Sequence, residues 1–125
     1  MTEKIKKVEK IWGSEEWIVN RDYCGKILNL KKAHRCSIHY HKNKDETFYL
    51  LDGKVLLELD GKNIVLKKGD VQLIEPNQKH RFTGLVNSKI IEFSTHHEES
   101  DSYREKESEK VSKEEFSKIL EQLEK

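Results

Sequence analysis

Two Asp-Gly pairs, Asp52-Gly53 and Asp60-Gly61, bracket the apolar run Val55 to Leu59. An Asp-Gly pair between alternating apolar stretches is a strong hairpin signal, because both turn residues must take positive φ. The middle of the chain is therefore committed to antiparallel strands. Similar short runs lie on either side: Trp17-Ile-Val, Lys26 to Leu30, Ser37 to His41, Thr47 to Leu51, Asn63 to Leu66, Val71 to Ile74 and Lys89 to Phe93. Lys68-Gly69-Asp70 marks a further turn, and the single proline, Pro76, falls in a loop. No helical periodicity separates these runs, so a parallel sheet with crossover helices is excluded. Many short strands at regular spacing predict a β-sandwich or a jelly-roll barrel.

The pattern changes after residue 98, where a highly polar stretch leads into a helix start. Ser112 with Glu115 reads as a capping box, and Val111 with Phe116 as its hydrophobic staple. Phe116, Ile119, Leu120 and Leu123 then recur at helical spacing. The expected organisation is one domain: a barrel over residues 1–105, and a C-terminal helix within 106–125 packed on the barrel or on a second subunit.

Charge and composition narrow the function class. The chain of 125 residues carries 24 basic and 23 acidic side chains, for a net charge of +1. That balance gives no electrostatic case for nucleic acid. No apolar run approaches the length of a membrane span. The first residues lack the apolar stretch of a signal peptide, so a cytoplasmic location is expected. Cys24 and Cys36 form no metal-type or redox-type spacing and read as structural thiols without a disulfide.

The chemistry concentrates in His39, His41, Glu46 and His80. Residues two apart in a strand share a face, so His39 and His41 point the same way. A polar loop then returns the chain to Glu46, which opens the next apolar run. His80 must arrive from a more distant strand. Three imidazoles and one carboxylate suit one divalent transition metal: Zn, Mn, Fe, Ni or Co.

The spacing of these residues resembles the cupin family. Its first motif runs Gly, five residues, His-x-His, three or four residues, Glu, six residues, Gly. Here Ala33 stands at the first Gly, followed in register by His39, His41, Glu46 and Gly53. In the second motif Gly69 and His80 match, whereas Glu75, Asn77 and Gly84 replace the Pro, Gly and Asn. Asn77 can still take a left-handed turn. The resemblance implies an all-β, single-domain cupin jelly-roll barrel with a short C-terminal α-helix. It also implies a metal bound by His39, His41, Glu46 and His80.

Within that family, Lys10-Ile-Trp-Gly-Ser-Glu-Glu-Trp is similar to the opening segment of sugar and sugar-phosphate isomerase cupins. These include the cupin domain of mannose-6-phosphate isomerases and lyxose isomerase. Gly69-Asp70 leading to His80-Arg81-Phe82, and Ile91-Glu-Phe-Ser-Thr95 followed by Asp101 and Arg104, resemble the same branch. The implied activity is aldose–ketose isomerisation of a sugar or sugar phosphate. Glu92 is the candidate base and Glu58 its reserve. Arg35, Lys44 and Arg104 are candidate substrate contacts, Lys44 or Arg104 holding a phosphate or hydroxyl at the cavity mouth, with Lys26 an alternative to Arg35 as partner for an anionic group. Strand alternation places Arg35 and Ser37 on the face of the ligands and Cys36 on the opposite face. His96 and His97 read as solvent-exposed loop residues. A non-catalytic metal- or sugar-binding module and an Fe(II) dioxygenase use the same ligand set. A homodimer is expected, joined through Trp12 and Trp17 or through Phe116 and Leu120.

Overall fold

The computed structural model describes residues 2–124. Thirteen strands follow in chain order: β1 Lys6–Lys10, β2 Gly13–Asn20, β3 Tyr23–Leu30, β4 His34–Arg35, β5 Ile38–His41, β6 Glu46–Asp52 and β7 Lys54–Leu59. They continue as β8 Lys62–Lys67, β9 Val71–Ile74, β10 His80–Gly84, β11 Ser88–Thr95, β12 Ser102–Lys106 and β13 Glu109–Lys110. Among the described residues there is one α-helix, α1 Lys113–Leu123, and one 3-10 turn, Glu99–Asp101. Asp60-Gly61 closes the expected hairpin between β7 and β8, with φ 48° and 80°. Asp52-Gly53 does not: only Gly53 has positive φ, at 103°, and the turn carries the chain from β6 in one sheet to β7 in the other.

The strands form two antiparallel sheets facing each other as a jelly-roll sandwich. The first runs β1-β2-β3-β11-β6-β9, and the second runs β12-β5-β10-β4-β13 with β7 on β10 and β8 on β7. Directly opposed residues share a face, so the register defines the interior row by row. Leu28, Ile90 and Leu50 make one inward row of the first sheet, and Lys26, Glu92 and Phe48 make the next. Glu46 and Ser94 follow. One end of the interior is thus apolar and the other charged. The apolar end joins Leu28, Leu30, Phe48, Leu50, Leu57, Phe82 and Ile90 in one core. Each such side chain contributes about 1.5–3 kcal/mol on burial. Trp12, expected at a dimer contact, belongs to this core instead.

Two local features decide what reaches the charged end. Gly13 brings β2 hard against β3, since a Cβ there would lie 1.8 Å from the Asn29 carbonyl oxygen. A second irregularity lies between β4 and β5. Arg35 stands opposite Thr83, and His39 stands opposite His80. Four steps on one strand therefore match three on the other, which is the signature of a bulge. The extra residue reverses the alternation, so Arg35 and His39 face opposite sides. Cys36 joins the core, against the expectation that it would face away from the ligands.

The C-terminal segment is tied to the outside of the second sheet. Val111 is buried and its N–H donates to the Ala33 carbonyl at 2.8 Å. Ser112 caps α1 by accepting from the Glu115 N–H at 3.2 Å. The helix itself has no fully buried residue, and its Leu120 is exposed. No helix among the described residues is long and apolar enough to cross a membrane.

Candidate metal centre and its cavity

His39 and His41 on β5 meet His80 on β10, and their ligand atoms lie within 4.8 Å of one another. Each ring is oriented by the chain. The Nδ1–H groups donate to backbone carbonyls: His39 to Ser37 at 2.9 Å, His41 to Asp101 at 3.1 Å and His80 to Gln78 at 2.9 Å. This leaves all three Nε2 lone pairs turned inward, the arrangement that metal-ligating imidazoles adopt. Burial holds the rings neutral, with His39 and His41 lowered to about 3 and His80 to about 4.

Glu46 completes the cluster. Its Oε1 is 3.6 Å from His41 Nε2 and its Oε2 is 3.5 Å from His80 Nε2. Oε2 is buried and has no hydrogen-bond partner among the described residues. Burial pushes this carboxyl up to about 8; Glu92 adds to the effect and Lys44 opposes it. An oxygen and three nitrogen lone pairs thus converge with no donor between them. Such a set repels itself unless the carboxyl holds a proton, which its raised value reflects, or a cation takes the proton's place. The residues present therefore fit a divalent transition ion, and the three histidines are positioned to hold one.

The cluster opens into a cavity of about 110 Å³. Lys26, Lys44, Glu92, Trp12, Phe48 and Phe82 line its interior, and Lys10, Glu99 and Arg104 are among the residues towards its opening. Lys44 is buried and donates to Glu46 Oε1 at 2.9 Å, Glu92 Oε2 at 3.1 Å and His97 Nδ1 at 2.8 Å. Three acceptors saturate its three N–H groups. Burial opposes its charge, but the two carboxylates outweigh that and keep it protonated. Burial likewise works against the Glu92 charge, and Lys44 and Lys26 outweigh it, so the carboxyl sits below its usual range. Because His97 Nδ1 accepts from Lys44, its Nε2–H donates to Glu99, at 3.0 Å.

Asp101 organises the loop that carries Lys44. Its carboxylate accepts from the backbone N–H of Lys42 at 2.9 Å, Asn43 at 3.2 Å and Lys44 at 3.1 Å. Three consecutive amides thus cradle one buried carboxylate.

The remaining sequence candidates separate clearly. Glu92 faces the cavity, and Arg104 lies opposite His39 across the β5–β12 pair, beside the cavity. Lys44 lies inside the charged end rather than at the mouth. Glu58 is outside the cavity, paired with Arg81 through contacts of 2.7 and 3.1 Å. Arg35 is also outside, turned by the bulge onto Glu109 at 2.8 Å and onto Glu115 at 3.2 Å. His97 is buried, whereas His96 is exposed. The alternation Val55, Leu57, Leu59 already placed Glu58 on the other face. Nothing local announced His97, and Asp101 was marked only by the family resemblance; both reach the site from more than 50 residues away.

Comparison with known proteins agrees with this geometry. The Cupin domain family matches residues 27–91. An uncharacterized protein of Methanocaldococcus jannaschii is 34% identical over 50 residues, 40% of each chain. The match therefore spans well under half the length of that relative. Among solved structures, a variant of Streptomyces PAC13 with uridine has a TM-score of 0.75 at 14% identity, covering 92% of this chain and 98% of the other. KdgF from Halomonas sp. has a TM-score of 0.65 at 18% identity, covering 70% and 81%. A cupin-superfamily sugar phosphate isomerase from Silicibacter pomeroyi has a TM-score of 0.62 at 16% identity, covering 67% and 59%. At these identities the likeness is one of fold.

Proposed function

The chain belongs to the cupin family, and for this member we propose metal-dependent aldose–ketose isomerisation of a sugar or sugar phosphate. One observation carries the reading. The inward lone pairs of His39, His41 and His80, with the unpartnered Glu46 oxygen, adjoin a carboxylate that is ionised and partly free. A divalent ion held there supplies a Lewis acid for two adjacent oxygens of a hydroxy-carbonyl substrate.

The chain's own groups do the proton chemistry. Glu92 Oε2 is fixed by Lys44 and by the Ser94 hydroxyl at 2.8 Å. Its Oε1 takes no hydrogen bond among the described residues and is the free basic atom. This oxygen removes the proton at C2 and returns it to C1, while the hydroxyl proton passes from O2 to the adjacent O1, so no net proton is gained or lost. Lys44 keeps the base ionised and holds its distance from Glu46. Phe48 and Phe82 limit water around the reacting carbons. Arg104, at the opening of the cavity, is the residue for a phosphate or distal hydroxyl.

The test is exchange at C2 of free and phosphorylated aldoses in D₂O, with the protein fully metal-loaded. Solvent deuterium should appear at C2 of one sugar class, together with ketose. If no aldose exchanges, the isomerase reading falls and a non-catalytic binding module takes its place. Oxygen uptake that depends on Fe(II) would instead identify a dioxygenase.

A further inference from the structure

The charged interior is a chain of alternating sign with one gap. Glu46, Lys44 and Glu92 are joined in sequence, and so are Lys26, Glu15 and Lys10. Glu92 and Lys26 stand directly opposite each other on β11 and β3 and both line the cavity. No ion pair joins them among the described residues, although they are opposite charges on neighbouring strands.

Both sides of the gap have unused hydrogen-bonding capacity. Lys26 is 2% exposed, and its ammonium makes one hydrogen bond, to Glu15 Oε1 at 3.2 Å. The Trp17 ring lies 4.1 Å from Nζ and covers a second direction. Trp17 also donates its indole N–H to the same Glu15 oxygen at 2.8 Å, which fixes the box around the ammonium. A lysine carries three donors, so one remains for the cavity. A buried ammonium with a spare donor is costly unless something accepts from it. Across the gap, Glu92 Oε1 is an acceptor without a donor.

We propose that Lys26 is a substrate-binding residue. With Glu92 it forms a donor–acceptor slot for a hydroxyl on the carbon next to the two whose oxygens a metal would hold. The slot makes the site selective for hydroxy-substituted carbonyl compounds over their unsubstituted analogues. This rests on the isomerase reading above, in which a metal would hold the oxygens of C1 and C2. The slot hydroxyl is then that of C3, which accepts from Lys26 and donates to one lone pair of Glu92 Oε1, leaving the other for the C2 proton. An analogue lacking it leaves both buried groups unpaired, the situation that gives strong discrimination.

The experiment compares two hydroxamates binding to metal-loaded protein by calorimetry. Acetohydroxamate and glycolohydroxamate present the same pair of adjacent oxygens, and only the second adds the hydroxyl. Glycolohydroxamate should bind about tenfold tighter or better, as expected for a hydrogen bond to a charged group. Lys26→Met, which keeps the length of the stem, should abolish that preference and leave acetohydroxamate affinity unchanged. The visible spectrum of the Co(II)-loaded variant should match that of the parent, showing an intact centre. Lys26→Gln serves the same comparison if the Met variant does not fold, and should retain part of the preference. Equal binding of both hydroxamates to the parent overturns the Lys26 slot and leaves the hydroxy-carbonyl reading standing. Loss of both affinities together in the variants also overturns it. If neither hydroxamate binds metal-loaded parent at millimolar concentration, the hydroxy-carbonyl reading itself fails.

Discussion

Glu46 Oε2 faces His80 Nε2 at 3.5 Å, and with the carboxyl ionised neither atom has a hydrogen to offer the other. The ring's only proton is committed to the Gln78 carbonyl. Lys44 reaches the other oxygen of Glu46 and leaves this one bare. The pair is therefore built around something positive between them. That relation separates the cluster from three buried histidines satisfied by their surroundings.

The protein should bind one divalent transition ion per chain. Binding to the folded state alone raises stability by about 2.7 kcal/mol at a hundredfold excess over Kd. His41→Ala should lose the ion under mild chelation while keeping the far-ultraviolet spectrum of the parent, because the core lies at the other end of the interior. Metal analysis after dialysis, paired with circular dichroism, checks both. Full retention of metal by the variant would count against the site.

Metal-free protein should lose stability as pH falls from about 6.5 towards 4. The three imidazoles have folded values near 3, 3 and 4, against an ordinary 6.5. Between those limits the unfolded chain binds protons that the folded chain refuses. Each such proton changes stability by about 1.4 kcal/mol per pH unit. Glu46 works against one of them, since its raised value makes the folded state bind a proton across part of the same window. Urea unfolding after chelation, at pH 7, 6 and 5, reads the net slope. A flat profile would mean that the rings are not held neutral.

Asp101→Ala should weaken metal binding about 10- to 100-fold, the usual cost of removing a group that orients ligands. The substitution frees the amides of residues 42–44, and with them the loop between His41 and Glu46. Competition against a chelating dye measures the change. Unaltered affinity would show that this loop is held by other contacts.

The fold was legible because its signals are local. The Asp60-Gly61 hairpin, strand alternation and the Ser112 cap each act over a few residues, whereas Asp52-Gly53 marks a turn whose flanking strands part into different sheets. The histidines were legible because their spacing matches strand geometry and a known motif. Arg35 was misread for a physical reason: one bulge between it and His39 inverts the face, and no residue there announces a bulge. Lys44 was placed at the mouth because a polar loop reads as exposed, whereas Glu46, Glu92 and His97 draw its ammonium inside. Lys26 carried a usable signal, a charge in the same alternating row as Leu28 and Leu30.

Ala33→Gly should stabilise the protein by about 1 kcal/mol, the strain a left-handed residue bearing a Cβ carries relative to glycine, less the added freedom of the unfolded chain. Ala33 has φ 59°, at the position where the motif has glycine. Its carbonyl also anchors Val111, so the turn must hold this shape. Thermal or urea unfolding gives the answer, and a destabilised variant would refute the strain.

Glu92→Gln should retain metal and lose turnover. The substitution keeps the side chain's size and its contacts with Lys44 and Ser94, but removes the charge that accepts the C2 proton. Loss of a positioned general base costs on the order of 10²–10⁴ in rate. Lys44 gives the experiment its control, since with Glu92 neutral its ammonium still has Glu46 and His97, and the loop should stay in place. Metal affinity therefore should change little, while C2 exchange in D₂O falls by the full factor. A variant that exchanges the C2 proton at the parent's rate would remove Glu92 as the base. Loss of metal in parallel with exchange would reassign it to holding the centre together.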